Sequence, residues 1–93
     1  MREITFGELQ RRESHSSPIE VTLFEGVRFD QTVSPVPWTH RENESNKPGV
    51  RVVGYVSQVT EKYFGLIQEN RTPNILGGCN IYENAIHSMR ELS

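Results

Sequence analysis

The chain has 93 residues and a formal net charge of −2. This length supports one folded domain, and we interpret residues 1–93 as a single domain. A near-neutral charge excludes a strongly basic surface, so nucleic-acid binding would need a local basic patch. One cysteine excludes an internal disulfide, and no apolar run is long enough for a signal sequence or a membrane span. We therefore expect a cytoplasmic protein without a membrane partner.

Residues 4–13 are predicted to form a short N-terminal helix. Thr5 suits the N-cap position, and Glu8 follows three residues later. This pair of residue types satisfies the free backbone N–H groups at a helix start. Phe6 and Leu9 would then face the core, and the helix ends before Pro18.

Two strands are predicted next, and we expect them to form a first hairpin. Apolar and polar residues alternate through 19–24 and again through 27–33. Alternation is typical of strands with one face in the core. Glu25 and Gly26 lie between the two segments and suit a tight turn.

Residues 34–49 are predicted to form a long polar loop. Pro35 and Pro37 argue against a central strand, and residues 40–49 lack apolar side chains. Trp38 lies at the base of this loop. It either caps an end of the sheet or is exposed as an anchor for a partner.

Residues 50–59 and 63–68 are predicted to form the hairpin at the centre of the sheet. β-branched and aromatic residues are densest here, and residues 60–62 supply a polar turn. Both faces of the first segment carry apolar residues. Such a strand is normally covered on both sides, which places it in the interior of a sheet.

The chain is predicted to end in a helix. A loop over residues 70–74 and a short strand at Ile75-Leu76 come first. Apolar residues at 81, 82, 85, 86, 89 and 92 then have helical spacing. The predicted fold class is therefore α+β, a small antiparallel sheet of four to five strands with an N-terminal and a C-terminal helix.

We find no set of residues that predicts catalysis or metal binding. His15, His40 and His87 are far apart and lack cysteine or acidic neighbours at ligand spacing. Cys79 has no base beside it and is expected to be a small buried residue. We therefore predict that the protein is not an enzyme and binds no metal or cofactor.

Several short segments resemble Hfq-type Sm proteins. The resemblance is carried by Leu-Gln-Arg-Arg-Glu at 9–13, the strand and turn at 18–29, Gly-Tyr-Val at 54–56, Tyr-Phe at 63–64 and Tyr-Glu-Asn-Ala-Ile at 82–86. It implies a small Sm-like β-barrel with an N-terminal helix as the alternative fold. It also implies a ring-forming RNA-binding protein with Arg11 and Arg12 on an RNA-contacting rim.

The patterns favour a small non-enzymatic binding protein that occupies the surface of a partner, with another protein as the expected partner. An inhibitor or adaptor of the kind encoded by phages and other mobile elements would fit. Because Trp and Arg dominate binding hot spots, the predicted partner contacts are Trp38, Arg41, Arg11 and Arg12. The alternative is RNA binding as the Sm resemblance implies, with Arg11, Arg12, Arg28 and Arg51 as contacts. Self-association remains open because the core is lean.

Overall fold

The computed structural model describes residues 2–31, 36–68 and 78–92. Its elements in chain order are β1 (Arg2–Ile4), α1 (Phe6–Arg11), β2 (Ile19–Phe24), β3 (Val27–Asp30), β4 (Trp38–Arg41), β5 (Pro48–Val59), β6 (Tyr63–Gln68), β7 (Gly78–Tyr82), a 3₁₀ turn (Glu83–Ala85) and β8 (Ile86–Glu91). The strands form one sheet in the order β1-β8-β2-β5-β6-β7-β4-β3. Of the described pairings, only that of β4 with β7 is parallel.

β2 lies in the interior of the sheet and supplies three of the most deeply buried side chains. Ile19, Val21 and Leu23 are each at most 1% exposed, while the residues between them are half-buried. The expected alternation is thus confirmed. β5 pairs with one edge of β2 and β8 with the other. Burying each of these side chains contributes about 1.5–3 kcal/mol to stability.

The step from β2 to β3 forces the sheet to curl. β2 is third in the strand order and β3 is last, yet only Glu25 and Gly26 separate them in the chain. Two residues span at most about 10 Å when extended. The edge that carries β3 must therefore bend back towards the end of β2. Gly26 makes the turn with a φ of 91°, which an L side chain rarely adopts.

The expected first hairpin is wrong, although both of its strands exist. β3 pairs with β4 and not with β2. The physical reason is that β2 has two edges and β5 and β8 occupy both of them. Local alternation predicts that a segment is a strand, but it does not identify the partner.

The N-terminal helix is confirmed at Phe6–Arg11, shorter than expected because Ile4 belongs to β1. The Thr5 hydroxyl accepts a hydrogen bond from the Glu8 backbone N–H at 3.2 Å. The buried side of the helix, Phe6 and Leu9, packs into the core on the inner face of the curled sheet.

The segment predicted as a long polar loop at 34–49 contains β4 and the first residues of β5. Pro37 precedes the strand and Pro48 begins the next one. Both prolines therefore occupy strand starts, where a missing N–H is tolerated. The polar connection between the two strands is only residues 42–47.

The central hairpin is confirmed as β5 and β6. The side chain of Thr60 accepts hydrogen bonds from the N–H groups of Lys62 and Tyr63, which closes the turn. The α1 residue Gln10 donates to the carbonyls of Thr60 and Glu61, at 3.1 and 3.2 Å. The helix and the hairpin turn are therefore tied together.

The predicted C-terminal helix is wrong, because residues 78–91 form β7, a 3₁₀ turn and β8. Ile81, Ala85 and Met89 are buried four residues apart, which imitates a helical face. Two interruptions of strand alternation produce this spacing. One is the 3₁₀ turn, and the other is a bulge where Leu23 pairs with Ile86 but Thr22 pairs with Ser88, so that His87 is the extra residue.

The fold class predicted from the sequence therefore needs correction. The eight-strand mixed sheet is neither an α+β fold with a four- to five-strand sheet and two terminal helices nor the alternative small Sm-like barrel. The predicted strand at Ile75-Leu76 lies outside the described residues. Within the described part of the chain, the α-helix is six residues long, and no helix is long and apolar enough to cross a membrane.

A substitution at Gly49 tests how closely β5 approaches the turn after β2. A Cβ at Gly49 would lie 2.9 Å from both the Glu25 Cα and the Phe24 carbonyl oxygen, which are backbone atoms that cannot yield easily. We expect Gly49→Ala to lower the free energy of unfolding by about 1–3 kcal/mol, as measured by urea denaturation.

Gly7→Ala is the matched control for this prediction. Its Cβ would meet only side-chain atoms, the tip of Arg11 at 3.3 Å and the Thr5 hydroxyl at 3.8 Å. Because alanine favours a helix over glycine, the control should be stabilised by up to about 1 kcal/mol. Equal effects of the two substitutions would contradict the described packing at Gly49.

His15 gives the fold a pH dependence. Its Nδ1 is buried and has no hydrogen-bond partner among the described residues, and desolvation, followed by the nearby charge of Arg12, lowers its pKa. The unfolded chain therefore binds the proton more readily than the folded chain. Stability is full above the unfolded pKa of about 6.5 and falls as the pH drops below it.

His15→Gln removes this titrating group. The decline in Tm between about pH 7.5 and pH 5 should be smaller in this variant than in the wild type. His87→Gln, at an exposed position on β8, is the control. An unchanged pH profile for His15→Gln would refute the assignment.

Candidate partner-binding surface

The outer face of β6, β7 and β4 carries four neighbouring rings. We call Tyr63, Tyr82, Trp38 and His40 the aromatic row. The ring centroids are 4.9 Å apart for Tyr63 and Tyr82, 6.1 Å for Tyr82 and Trp38, and 5.6 Å for Trp38 and His40. Ring pairs at such distances attract one another, so each ring supports the next.

Strand alternation places the two tyrosines on the outer face. Phe64 and Ile81 are fully buried on the inner face, so their neighbours Tyr63 and Tyr82 point to the opposite side. The register of β6 and β7 puts Tyr63 directly across from Tyr82. The same alternation that builds the core therefore builds this half of the aromatic row.

The pairing of β4 with β7 positions Trp38 and His40, the other half of the aromatic row. The Pro37 carbonyl accepts a hydrogen bond from the Asn80 N–H at 2.8 Å, and the Thr39 hydroxyl accepts one from the Tyr82 N–H at 2.9 Å. Thr39 is buried on the inner face. Trp38 and His40, on either side of it, therefore share the outer face with Tyr82.

The aromatic row is anchored but accessible. Tyr63, Tyr82 and Trp38 are half-buried and His40 is exposed. The indole Nε1 of Trp38 is buried without a hydrogen-bond partner among the described residues. Packing, and not a directional hydrogen bond, thus holds the indole, and the exposed ring edges are available for contact.

The charges next to the aromatic row are balanced. Lys62 precedes Tyr63 and Glu83 follows Tyr82 in the chain, and the register places Arg28 opposite His40 and Asp30 opposite Trp38. Arg28 also pairs with Glu42. The aromatic row therefore has no excess of positive charge around it.

Arg41, a predicted partner contact, lies on the other side of β4 and is engaged within the chain. Its guanidinium donates to the backbone carbonyls of Asn43, Ser45 and Asn84, at 3.2, 3.0 and 3.2 Å. It also stacks over the Phe24 ring at 4.1 Å. The structure therefore places Arg41 as a clamp on the 42–47 connection and does not bring it together with Trp38.

Arg11 and Arg12, the other two predicted contacts, lie at the end of α1. Arg12 forms two hydrogen bonds to the Glu91 carboxylate, at 2.9 and 3.0 Å, and Arg2 adds another at 3.0 Å. The Arg12 hydrogen bonds lower the pKa of Glu91. Arg11 is exposed. Since Glu91 ends β8, this cluster lies near the β1 end of the strand order, while Trp38 lies near the β3 end.

The arginines proposed for RNA contact are also dispersed. Arg28 is on β3, whereas Arg51 is on β5 opposite Thr22. Arg51 lines a cavity of about 210 Å³ with Arg90, Glu3 and Glu20. Arg90 donates to Glu20 at 2.8 Å, so the cavity contains charges of both signs.

Sequence reasoning singled out Trp38 and missed the rest of the aromatic row. The predicted C-terminal helix includes Tyr82 and the predicted central hairpin includes Tyr63, so neither tyrosine stands out from the sequence as a binding residue. The signal for Tyr82 is the short alternation from Cys79 to Tyr82, in which Cys79 and Ile81 are buried and Asn80 and Tyr82 are not. Nothing in the sequence pairs β4 with β7, so His40 could not be placed.

The clamp formed by Arg41 can be tested by Arg41→Lys. Lysine keeps the charge but cannot donate to three carbonyls in a fork, so we expect a loss of about 2 kcal/mol. For a domain of this size, the Tm should then fall by about 10 °C. Differential scanning calorimetry measures the change.

Arg28→Lys is the matched control, because Arg28 is exposed and forms an ion pair on the surface. Its Tm should change little, since exposed ion pairs contribute at most about 1 kcal/mol. A Tm for Arg41→Lys that equals that of the control would contradict the clamp.

Comparisons of the chain with models of protein families, with curated proteins and with solved structures found no match. The proposal for its function therefore rests on the geometry of the described residues.

Proposed function

We propose that the protein is a non-enzymatic binding protein that occupies the surface of a partner protein through its aromatic row. The observation that carries the proposal is the contact of three half-buried aromatic rings and an exposed imidazole across β6, β7 and β4. Tyr and Trp are enriched at protein interfaces and in their hot spots. Rings that are already held in place lose little conformational entropy on binding.

The charges around the aromatic row favour a protein over a nucleic acid. Stacking platforms for single-stranded nucleic acids combine aromatic rings with a positively charged groove. Here, the positive charges of Lys62 and Arg28 are balanced by the negative charges of Glu83 and Asp30. RNA binding is therefore the alternative outcome of the test below.

The state of the cysteine argues against its use as a catalytic nucleophile. Cys79 is buried, and burial raises the pKa of its thiol to about 11. The thiol is therefore protonated at neutral pH and is a poor nucleophile. Its position on the inner face of β7 matches a role in packing.

The proposal is tested by capture and competition. The tagged chain is incubated with a nuclease-treated extract of the cells that contain it and washed in about 1 M NaCl, where exposed charges are screened beyond about 3 Å. A partner protein should be retained because the contacts are mainly aromatic. The affinity of this partner for the wild type and for each variant is then measured by calorimetry.

His40→Ala and Tyr63→Ala should each weaken this complex by about 30-fold or more, the effect expected of a hot spot. Val50→Ala is the control, because Val50 is an apolar residue on β5 that is 61% exposed and lies outside the aromatic row. Equal affinity of all variants would refute the site. Capture of RNA alone, when the experiment is repeated at low salt with an extract that has not been treated with nuclease, would favour RNA binding over the proposal.

A further inference from the structure

The outer face of β1, β8, β2 and β5 contains the cavity of about 210 Å³ that Arg51 lines. This face is opposite to the one on which Val21, Val52 and Met89 are buried. Six polar side chains from all four strands line the cavity: Glu3, Glu20, Thr22, Arg51, Ser88 and Arg90. Cavities for drug-sized ligands usually measure about 300–1,000 Å³, so this one suits a smaller molecule.

The strand register sorts these side chains into two rows across the sheet. Thr22 on β2 lies opposite Arg51 of β5 on one side and opposite Ser88 of β8 on the other. We call these three residues the first row. It has one guanidinium and two hydroxyls, and its net charge is +1. A guanidinium binds a carboxylate through two parallel hydrogen bonds, and hydroxyls can donate to the same group.

The neighbouring row has the opposite charge. Arg90 on β8 lies opposite Glu20 of β2 on one side and opposite Glu3 of β1 on the other. We call these three residues the second row. One guanidinium between two carboxylates leaves this row with a net charge of −1, which suits a cation.

The ion pair within the second row leaves the row able to accept a ligand. Arg90 Nε donates to Glu20 Oε1 at 2.8 Å. A carboxylate has two oxygens that accept hydrogen bonds, so Glu20 can hold Arg90 and an ammonium at the same time. The Glu3 carboxylate is on an exposed residue of β1.

We propose that this cavity binds a free α-amino acid, with its carboxylate on the first row and its ammonium on the second. The rows are two residues apart along each strand, about 6.8 Å. Hydrogen bonds of about 2.7–2.9 Å at each end take up most of that distance. The remaining space suits two charged groups on one carbon, as in an α-amino acid.

The charge of the cavity also selects this class of ligand. The two rows sum to zero, as do the two charges of an α-amino acid. A ligand with a single charge would compensate one row and leave the other without a partner of opposite sign. The inference does not rest on the proposed function, because the aromatic row lies on β6, β7 and β4.

A matched set of small molecules tests the proposal. The backbone amide signals of Thr22 and Ser88 are followed by NMR while the ¹⁵N-labelled protein is titrated with L-alanine at constant ionic strength. We expect saturable shifts with a Kd of about 1 mM. Propionate lacks the ammonium, ethylamine lacks the carboxylate, and 3-aminopropionate has one more carbon between the two groups. Each should bind at least about tenfold more weakly.

Charge-neutralising variants test the role of the two rows. Arg51→Gln removes the charge of the first row and Glu3→Gln removes one carboxylate of the second, so each should weaken L-alanine binding by about tenfold or more. Lys62→Gln and Glu61→Gln are the matched controls in the turn between β5 and β6. All four positions are exposed, so the fold should be retained. The dispersion of the amide spectrum verifies this.

The outcomes separate clearly. Saturable binding of L-alanine that both cavity variants weaken and both controls preserve would support the proposal. The absence of shifts at about 50 mM L-alanine would overturn it. Equal affinity for L-alanine and 3-aminopropionate, or cavity variants that bind as the controls do, would overturn it as well. Binding by the aromatic row is measured with a partner protein and other variants, so its outcome is independent.

Discussion

β2 pairs with β5 on one edge and with β8 on the other, and these two pairings determine where the remaining strands lie. It buries Ile19, Val21 and Leu23 almost completely and brings the two ends of the chain into one core. Because both edges of β2 are already paired, the next segment, β3, cannot pair with it. β3 therefore pairs with β4, and the two-residue connection after β2 bends the sheet until its far edge returns to that point.

Strand alternation alone places the core and the proposed binding surface on opposite faces of the curled sheet. On β7, Ile81 points into the core and Tyr82 points outward, and β6 and β4 repeat this pattern with Phe64 beside Tyr63 and Thr39 beside Trp38. The outward rings then meet because their strands are neighbours. The proposed binding surface therefore follows from the packing of the core: a one-residue change of register in β7 would exchange the two faces and disrupt both.

Local patterns in the sequence predicted the features that depend on neighbouring residues. The cap at Thr5, the alternation of β2 and the hairpin of β5 and β6 all follow from such patterns. The choice of partner for β3 could not be predicted, because it depends on β5 and β8, which pair with β2 from much farther along the chain. The C-terminal helix was wrong because a 3₁₀ turn and a bulge at His87 shifted the alternation towards helical spacing. Because of this error the outward position of Tyr82 could not be predicted, and Trp38 was the one residue of the aromatic row that the sequence indicated as a partner contact.

The position of β2 between β5 and β8 can be tested by nuclear Overhauser contacts between backbone protons of the isotope-labelled protein. We expect Val21 to contact both Val52 and Met89, and Tyr63 to contact Tyr82 across β6 and β7. Contacts of β2 with β3 in place of those with β8, or sequential amide contacts typical of a helix through residues 80–92, would contradict it.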